Sequence, residues 1–257
     1  MPLLAVDVGN AHTVLGLIQD GVVSSHWRVS TDVHRTADEW AVLMRGLLGR
    51  HLLEIDGIAL CSTVPGVTQA GREMLTRHFA DVPHLVVEPG VRTGIPVLMD
   101  NPREVGTDRI VNSLAAATDF GGPAIVVDFG GTATTFDVIN AAGQYIGGAI
   151  SPGIELSLEA LGRRGAQLRQ VELARPRTVI AKNTVEALQS GMVFGLASQV
   201  EGIVERMIAE LGAATTDVHV IATGYLAHLV VDECDCFTDQ QPWLTLRGLE
   251  LVFARNS

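Results

Sequence analysis

The chain is short of lysine, and this shortage excludes one class of phosphate-binding protein. Lys182 is its single lysine among 18 basic residues, and Asn183 follows it. The phosphate-binding loop of P-loop NTPases requires a lysine followed by Ser or Thr, so a P-loop NTPase is excluded. No GxGxxG follows a strand pattern, so the dinucleotide-binding fingerprint is missing as well. The Asp128-Phe129-Gly130 triplet lacks the partner motifs that a protein kinase needs.

Cysteine, positive charge and long apolar runs are also scarce. The three cysteines, Cys61, Cys234 and Cys236, form no CxxC pair, which fits a reducing compartment and offers no zinc motif. The net charge of −11 argues against a non-specific nucleic-acid binder, although backbone amides or a metal ion can still hold an anionic ligand. No run approaches the roughly 18 apolar residues of a membrane span, and MPLLAVDVGN lacks the basic start of a signal peptide. We therefore expect a cytoplasmic protein with neither nucleic acid nor membrane as partner.

Two stretches of the chain share one outline. They are LLAVDVGNAHTVLGLI at 3–18 and AIVVDFGGTATTFDVIN at 124–140. In each, an acidic residue follows an apolar run, and a glycine turn and a second apolar run come next. The aligned pairs are Asp7 with Asp128, Gly9 with Gly130, and Thr13 with Thr134. Each half continues with a third strand pattern and then with the apolar spacing of helices. The repeat predicts an α/β fold of two similar domains, residues 1–120 and 121–257, with a cleft between them.

Glycine turns of this kind suit phosphate. A glycine at the tip lets backbone amides approach a ligand, and neighbouring Asn and Thr side chains add donors. Asp7 and Asp128, placed opposite each other across the cleft, would organise cations on the phosphates, since Mg²⁺ takes one or two carboxylates together with phosphate oxygens. The alternative is that each aspartate only caps its turn. His12 in the first turn either touches phosphate or faces the solvent.

A third stretch, DNPREVGTDRIVNSLAAA at 100–117, supplies candidates for the chemistry. Pro102 and Gly106 punctuate a loop, and helical spacing begins at Thr107, which puts Asp108 and Arg109 in the first turn of a helix. An aspartate is ordinary there, because the helix dipole favours anions at that end. An arginine stands against the dipole, and such an arginine often binds a carboxylate or phosphate.

These three stretches, in this order, resemble type III pantothenate kinases, a family of the actin/sugar-kinase/Hsp70 superfamily. The family's patterns are approximately DxGNTxT, NPxxxGxDR and DxGTATT, and the chain reads DVGNAHT, NPREVGTDR and DFGGTATT. GGAISPGI at 147–154, NTVEALQSG at 183–191 and the ending LTLRGLELVFARN extend the likeness to nearly the whole chain. The resemblance implies paired ribonuclease-H-like domains.

The resemblance also implies a reaction: ATP phosphorylates the primary hydroxyl of pantothenate to give 4'-phosphopantothenate, the first step of coenzyme A biosynthesis. Asp108 matches the family's general base, and Arg109 matches its neighbour that binds the carboxylate of pantothenate. The other substrate-binding positions implied are Gly106, Thr107, Thr184 and Met99. A base that orients the attacking hydroxyl, with cations on the phosphates, is what phosphoryl transfer requires.

The two hairpins are implied to hold the nucleotide and its cations. The positions matched to nucleotide binding are Asp7, Val8, Gly9, Asn10, Ala11, His12 and Thr13 in the first hairpin and Thr132 in the second. Asp7 is implied to lie near Mg²⁺, and Asp128 to be the ligand of a monovalent cation, K⁺ or NH₄⁺. Because family members form homodimers with substrate sites near the interface, a homodimer is expected.

The chain departs from the family's pattern at four positions. Ala11 stands where the family usually has Thr, and Gly131 makes DFGGTATT one residue longer than DFGTATT. Tyr225 replaces a second glycine near the nucleotide, and Met99 replaces an aromatic residue. Two alternatives follow: a catalytically impaired paralogue with a binding or regulatory role, and a related small-molecule kinase acting on another substrate. The basic stretch 162–177 is interpreted as a solvated loop.

Overall fold

The computed structural model describes residues 2–164 and 171–257, and they form ten strands and six α-helices. The first half contains β1 Leu3–Val8, β2 His12–Gln19, β3 Val22–Ser30, α1 Ala37–Leu48, β4 Gly57–Ser62, α2 Pro65–His78, β5 His84–Val86 and α3 Thr107–Asp119. The rest contains β6 Ala124–Phe129, β7 Ala133–Ile139, β8 Tyr145–Pro152, α4 Ile154–Arg164, α5 Thr184–Leu211, β9 His219–Thr223, β10 Asp239–Gln240 and α6 Leu244–Asn256.

The chain divides into two compact units, and each has one five-stranded sheet. The first unit comprises Met1–Ala115 and Trp243–Ser257, and the second comprises Ala116–Pro242. The strand order is β3-β2-β1-β4-β5 in the first sheet and β10-β9-β6-β7-β8 in the second. In each sheet three antiparallel strands come from two successive hairpins, and the next two strands run parallel to the first strand of that set. The predicted α/β class with a duplicated strand-hairpin-strand pattern is confirmed.

Local chemistry accounts for the helix ends. Thr36 caps α1, accepting a hydrogen bond from the Glu39 amide while the Glu39 carboxylate accepts from the Thr36 amide, a complete capping box. The Asn183 side chain caps α5 by accepting a hydrogen bond from the Glu186 amide, and Gly212 ends that helix in the left-handed conformation. No helix within residues 2–164 and 171–257 combines the length and the hydropathy that a membrane crossing requires.

The C-terminal helix belongs to the first unit, which differs from the predicted division at 120/121. Helix α6 packs on strands β1, β2 and β4. Two glycines of that sheet make the close approach possible, because a Cβ at Gly16 would overlap Leu246 and a Cβ at Gly57 would overlap Phe253. Sequence order therefore assigns the last helix to the second domain, whereas its packing assigns it to the first.

The basic stretch 162–177 is not entirely a loop. Its first residues form the last turn of α4, which ends at Arg164. The prediction for residues 165–170 lies outside the described residues. From Val171 to Asn183 the chain has no regular secondary structure until α5 begins, so the loop interpretation holds there.

Candidate active site

The predicted catalytic helix begins at the carboxyl edge of the first sheet. Strands β1 and β4 run parallel with Asp7 opposite Cys61 and Val8 opposite Ser62, so both strands end at the same edge. Thr107, the first residue of α3, donates its hydroxyl to the Ser62 carbonyl at 3.3 Å. Ligands of open α/β sheets bind outside the carboxyl ends of the strands, and this edge is therefore the candidate site of the first unit.

Asp108 is held at that edge in an environment that disfavours its charge. Its Oδ1 atom is buried and has no hydrogen-bond partner among the described residues. A Cβ at Gly106 would overlap the same oxygen, so only glycine leaves room for the carboxylate. Burial raises the pKa of Asp108, and the amide and the positive charge of Arg109 offset part of that rise. A carboxylate of raised pKa with one unsatisfied oxygen is suited to accept a proton from a substrate hydroxyl.

Cys61 lies near two carboxylates of the candidate site, Asp7 and Asp108. Its thiol is buried and donates to Asp7 Oδ1 at 3.4 Å. Burial raises the pKa of this thiol well above its ordinary value, and the negative charges of Asp7 and Asp108 raise it further. The structure thus brings Asp7 and Asp108, which are far apart in sequence, within electrostatic reach of one side chain. Sequence reasoning missed Cys61; the pairing of β1 with β4 would have pointed to it, because Cys61 lies opposite Asp7.

The remaining residues of the predicted substrate loop surround the start of α3. Arg109 follows Asp108 in the first turn and is partly exposed. Asn101 caps a short 3₁₀ turn, Pro102–Glu104, through a hydrogen bond from the Arg103 amide at 3.3 Å. Met99 is partly buried in the bend just before that turn. The loop from Met99 to Asp108 therefore lies entirely within the first unit.

The first hairpin turn consists of Gly9, Asn10 and Ala11. The Gly9 amide donates to the His12 carbonyl at 3.0 Å, and the Ala11 carbonyl accepts from the Thr31 amide at 2.9 Å. Ala11 therefore keeps a backbone role although it has no hydroxyl. After the turn, the buried Thr13 hydroxyl pairs with that of Thr31 at 2.9 Å. Asn10 is exposed and Asp7 partly exposed at the same edge, a position suited to a ligand.

The second hairpin has the same pairing as the first. Phe129 pairs with Thr134 as Val8 pairs with Thr13, and each turn has three residues, here Gly130, Gly131 and Thr132. The additional glycine thus introduces no register shift near the turn: the one irregularity between β7 and β8 lies at Val138/Ile139. Thr134 occupies the position of Thr13 and is not displaced.

Asp128 ends the apolar part of β6 beside a sharp turn. It pairs with Thr223 on β9, and Gly224 follows with a φ of 91°. A Cβ at Gly224 would overlap Asp128 Oδ1 and the backbone of Phe129, so the chain passes directly over the carboxylate. Carboxylate and carbonyl oxygens are thereby gathered at the end of β6, and oxygens are the ligands that hard cations take.

Two departures from the family's pattern meet at the second turn. The Tyr225 hydroxyl donates to Glu155 Oε2 at 2.5 Å. A Cβ at Gly131 would overlap both of these groups. Glu155 was not singled out by sequence reasoning, and the sequence carries no local signal for it.

Thr184 lies in the second unit. It is the first residue of α5 and is exposed, next to the capping residue Asn183. Its predicted contact with the substrate stays a prediction. Within the described residues, no group of three or more His, Cys, Asp or Glu side chains is placed to hold a metal ion.

Solved structures of other proteins share this fold. The ADPNP-bound activator of 2-hydroxyisocaproyl-CoA dehydratase from Clostridium difficile aligns over 99% of this chain and 95% of its own, with a TM-score of 0.57 and 9% identity. A ROK hexokinase from Thermus thermophilus aligns over 100% of both chains, with a TM-score of 0.52 and 13% identity. At these identities the likeness concerns the fold alone, a two-domain α/β fold.

Sequence comparison then identifies the family. The family model described as type III pantothenate kinase matches residues 3–206. A type III pantothenate kinase from a Nocardioides species is 75% identical over 100% of both chains. One from Streptomyces avermitilis is 59% identical over 99% of this chain and 98% of its own. The chain belongs to the type III pantothenate kinase family, as its motifs predicted.

Proposed function

We propose that this chain is an ATP-dependent kinase that phosphorylates pantothenate at its primary hydroxyl, giving 4'-phosphopantothenate for coenzyme A synthesis. The observation that carries the proposal is Asp108, whose buried Oδ1 has no hydrogen-bond partner within residues 2–164 and 171–257. Gly106 leaves room for this oxygen at the strand edge that also bears Asp7. The family and its relatives at 59–75% identity support the choice of acceptor.

In the proposed mechanism Asp108 orients the pantothenate hydroxyl and accepts its proton as the oxygen attacks the terminal phosphorus. The raised pKa makes this carboxylate a better proton acceptor than an ordinary aspartate. Arg109 binds the carboxylate of pantothenate, and Gly106, Thr107, Met99 and Thr184 complete the substrate contacts. Most of the rate enhancement then comes from positioning and charge neutralisation.

The nucleotide is assigned to the two hairpins. In the first, the proposed contacts are Asp7, Val8, Gly9, Asn10, Ala11, His12 and Thr13. In the second, Thr132 lies exposed in the turn and is proposed to contact the phosphates. Asp7 would hold Mg²⁺ and Asp128 a K⁺ or NH₄⁺ ion, and these cations neutralise the charge on the transferring phosphate when bound. The partly exposed carboxylates of both residues fit this use.

A homodimer stays a prediction of the family resemblance, and a cytoplasmic location stays a prediction of the cysteine content and the sequence patterns. The exposed apolar side chains Val179, Ile180 and Val185, close in sequence to Thr184, support a contact surface in the second unit. Sedimentation or light scattering of the purified chain tests the dimer directly.

The catalytically impaired paralogue is the second candidate, and Ala11, Gly131 and Tyr225 motivated it. The structure weakens one of these three grounds, because Gly131 leaves the register of the second hairpin intact. A kinase of another small molecule is the third candidate, and Met99 is the position that motivates it.

One assay tests the proposal: ADP release with ATP and pantothenate, in K⁺ and in Na⁺, by the wild type and by Asp108→Asn. We expect pantothenate-dependent turnover that K⁺ stimulates, and a loss of about 10²–10⁴-fold in Asp108→Asn, the usual contribution of a general base. Asp81→Asn is the matched control, since Asp81 is an exposed carboxylate between α2 and β5.

Three results would count against the proposal. Pantothenate binding without turnover in either salt favours the impaired paralogue. ADP release that requires a different acceptor favours the related kinase. If Asp108→Asn and Asp81→Asn are equally active, Asp108 is not the general base.

A further inference from the structure

Gly131 and Tyr225, the two departures of the second unit, depend on each other. The Tyr225 side chain reaches from the end of β9 to the start of α4. There its hydroxyl donates a hydrogen bond to Glu155, and this bond lies over Gly131. Any side chain at position 131 would occupy the space of this hydrogen bond. The glycine that lengthens the motif is therefore the residue that makes room for the tyrosine.

Carbonyl groups of the second turn accept hydrogen bonds from amides at the beginning of α4. The Gly131 carbonyl accepts from the Leu156 amide at 3.1 Å, and the Thr132 carbonyl accepts from the Gly153 amide at 2.9 Å. Glu155 lies between these donors, in the first turn of α4, where the helix dipole favours its negative charge. The carboxylate is thus held within reach of the turn that is proposed to hold phosphate.

Tyr225 is itself anchored at both sides. The next amide, Leu226, donates to the Phe129 carbonyl at 3.4 Å, and the Tyr225 carbonyl is 2.9 Å from His228 Nδ1. The preceding Gly224 lies against Asp128. Because the backbone of Tyr225 is fixed, its phenol ring has a defined direction, and its hydroxyl donates a hydrogen bond to one carboxylate oxygen of Glu155.

A carboxylate beside a phosphate site has two adverse effects. It repels the anionic ligand, and it competes for the amides that the phosphate would use. A hydrogen bond from a neutral hydroxyl to a carboxylate is strong and directional, so it fixes where the charge lies. Tyr225 is the group within reach that supplies such a bond to Oε2.

We propose that Tyr225 is a positioning residue of the nucleotide site: through its hydrogen bond across Gly131 it fixes the Glu155 carboxylate in one position beside the second phosphate turn, and so sets the affinity for ATP. This inference rests on the proposed function, because it concerns the same nucleotide site.

The test compares four proteins: wild type, Tyr225→Phe, Tyr225→Phe with Glu155→Gln, and Tyr145→Phe. Tyr145 is the matched control, because it is the chain's other tyrosine, lies in the same unit and also donates to a carboxylate, Asp137 Oδ1, at 3.0 Å. We expect Tyr225→Phe to raise the KM for ATP by roughly tenfold, the effect of one charge-assisted hydrogen bond. The KM for pantothenate should be unchanged.

The double variant distinguishes positioning from mere stabilisation. If Tyr225 restrains a harmful charge, neutral Gln at 155 restores most of the ATP affinity in the Tyr225→Phe background. A purely structural tyrosine gives equal KM values for the single and double variants, and that result overturns the proposal. So does a rise in the KM for ATP in Tyr145→Phe equal to that in Tyr225→Phe.

Calorimetric titration with ATP in the absence of pantothenate provides a second readout. This readout separates the two proposals. If the wild type binds ATP but transfers no phosphate to pantothenate, the proposed pantothenate kinase activity is contradicted, whereas the role of Tyr225 in ATP binding can still be tested. Unaltered ATP binding by Tyr225→Phe overturns the role of Tyr225 whatever the acceptor substrate is.

Discussion

The hairpins β1–β2 and β6–β7 have the same register and equally long turns, but different contacts hold them. In the first, Thr13 bonds to Thr31, and the Thr31 amide donates to the third turn residue. In the second, Gly153 makes that backbone bond, and it has no hydroxyl to offer Thr134. A Cβ at Gly153 would overlap the carbonyls of Gly130 and Gly131, so no threonine fits there.

The difference shows how one backbone pattern is adapted to two environments. The first turn is exposed at Asn10 and is supported by threonines from its own sheet. The second turn packs against the start of α4 and lies under the Tyr225–Glu155 hydrogen bond. The first turn therefore tolerates side chains, whereas the second is sterically filled. The following predictions test this contrast.

The largest effects are expected from changes at the turn glycines, by alanine substitution and by deletion. Neither Gly9 nor Gly131 has a positive φ, so alanine is compatible with both backbones and only the surroundings differ. At position 9 the Cβ would be 3.1 Å from the His12 carbonyl oxygen, a tight contact but a longer one than those at position 131. At position 131 it displaces the Tyr225–Glu155 pair. We expect Gly131→Ala to lower the free energy of unfolding by about 1–3 kcal/mol and Gly9→Ala by less than about 1 kcal/mol.

Urea denaturation and the KM for ATP measure this contrast. Deleting Gly131 is the more severe change, because it leaves two residues where both hairpins have three. We expect the deletion to abolish ATP binding. Raised activity after deletion would contradict the contrast and make the additional glycine a defect.

A smaller effect is expected from removing the two equivalent hydroxyls. Thr13→Val breaks the bond to Thr31 and should destabilise the protein by about 1 kcal/mol. Thr134→Val removes a buried hydroxyl that has no partner among the described residues, so it should be neutral or slightly stabilising. Thermal unfolding without nucleotide measures both variants. Equal losses would mean that Thr134 has a partner of equal strength.

The smallest effect is the pH dependence that Asp108 contributes. Because its pKa is raised in the folded protein, its contribution to stability is present below the ordinary carboxyl pKa of 3.8 and is lost as the pH rises through the folded value. We expect Asp108→Asn to be more stable than the wild type at neutral pH, with the difference shrinking in acid. Unfolding free energies of both proteins, measured between about pH 4 and about pH 7, test this pH dependence. A difference that grows in acid would show that the pKa is lowered.

Much of the site was predictable because its determinants are local. The glycine turns after Asp7 and Asp128 and the helix start at Thr107 follow from residue types within a few positions, and the structure has all three. Cys61 and Glu155 were not predicted. Each acts on a residue distant in sequence, 54 positions for Cys61 with Asp7 and 70 for Glu155 with Tyr225.

The sequence by itself determined the family, the repeated hairpin and most of the strands and helices, because hydrophobic periodicity and turn chemistry are encoded by neighbouring residues. Helix α4 and strand β10 were not predicted. Only the tertiary structure decided that α6 joins the first sheet, that Asp108 loses solvent, and that Tyr225 and Gly131 fit together. Burial, pKa and steric fit depend on which distant groups packing brings into contact, and no local pattern specifies that.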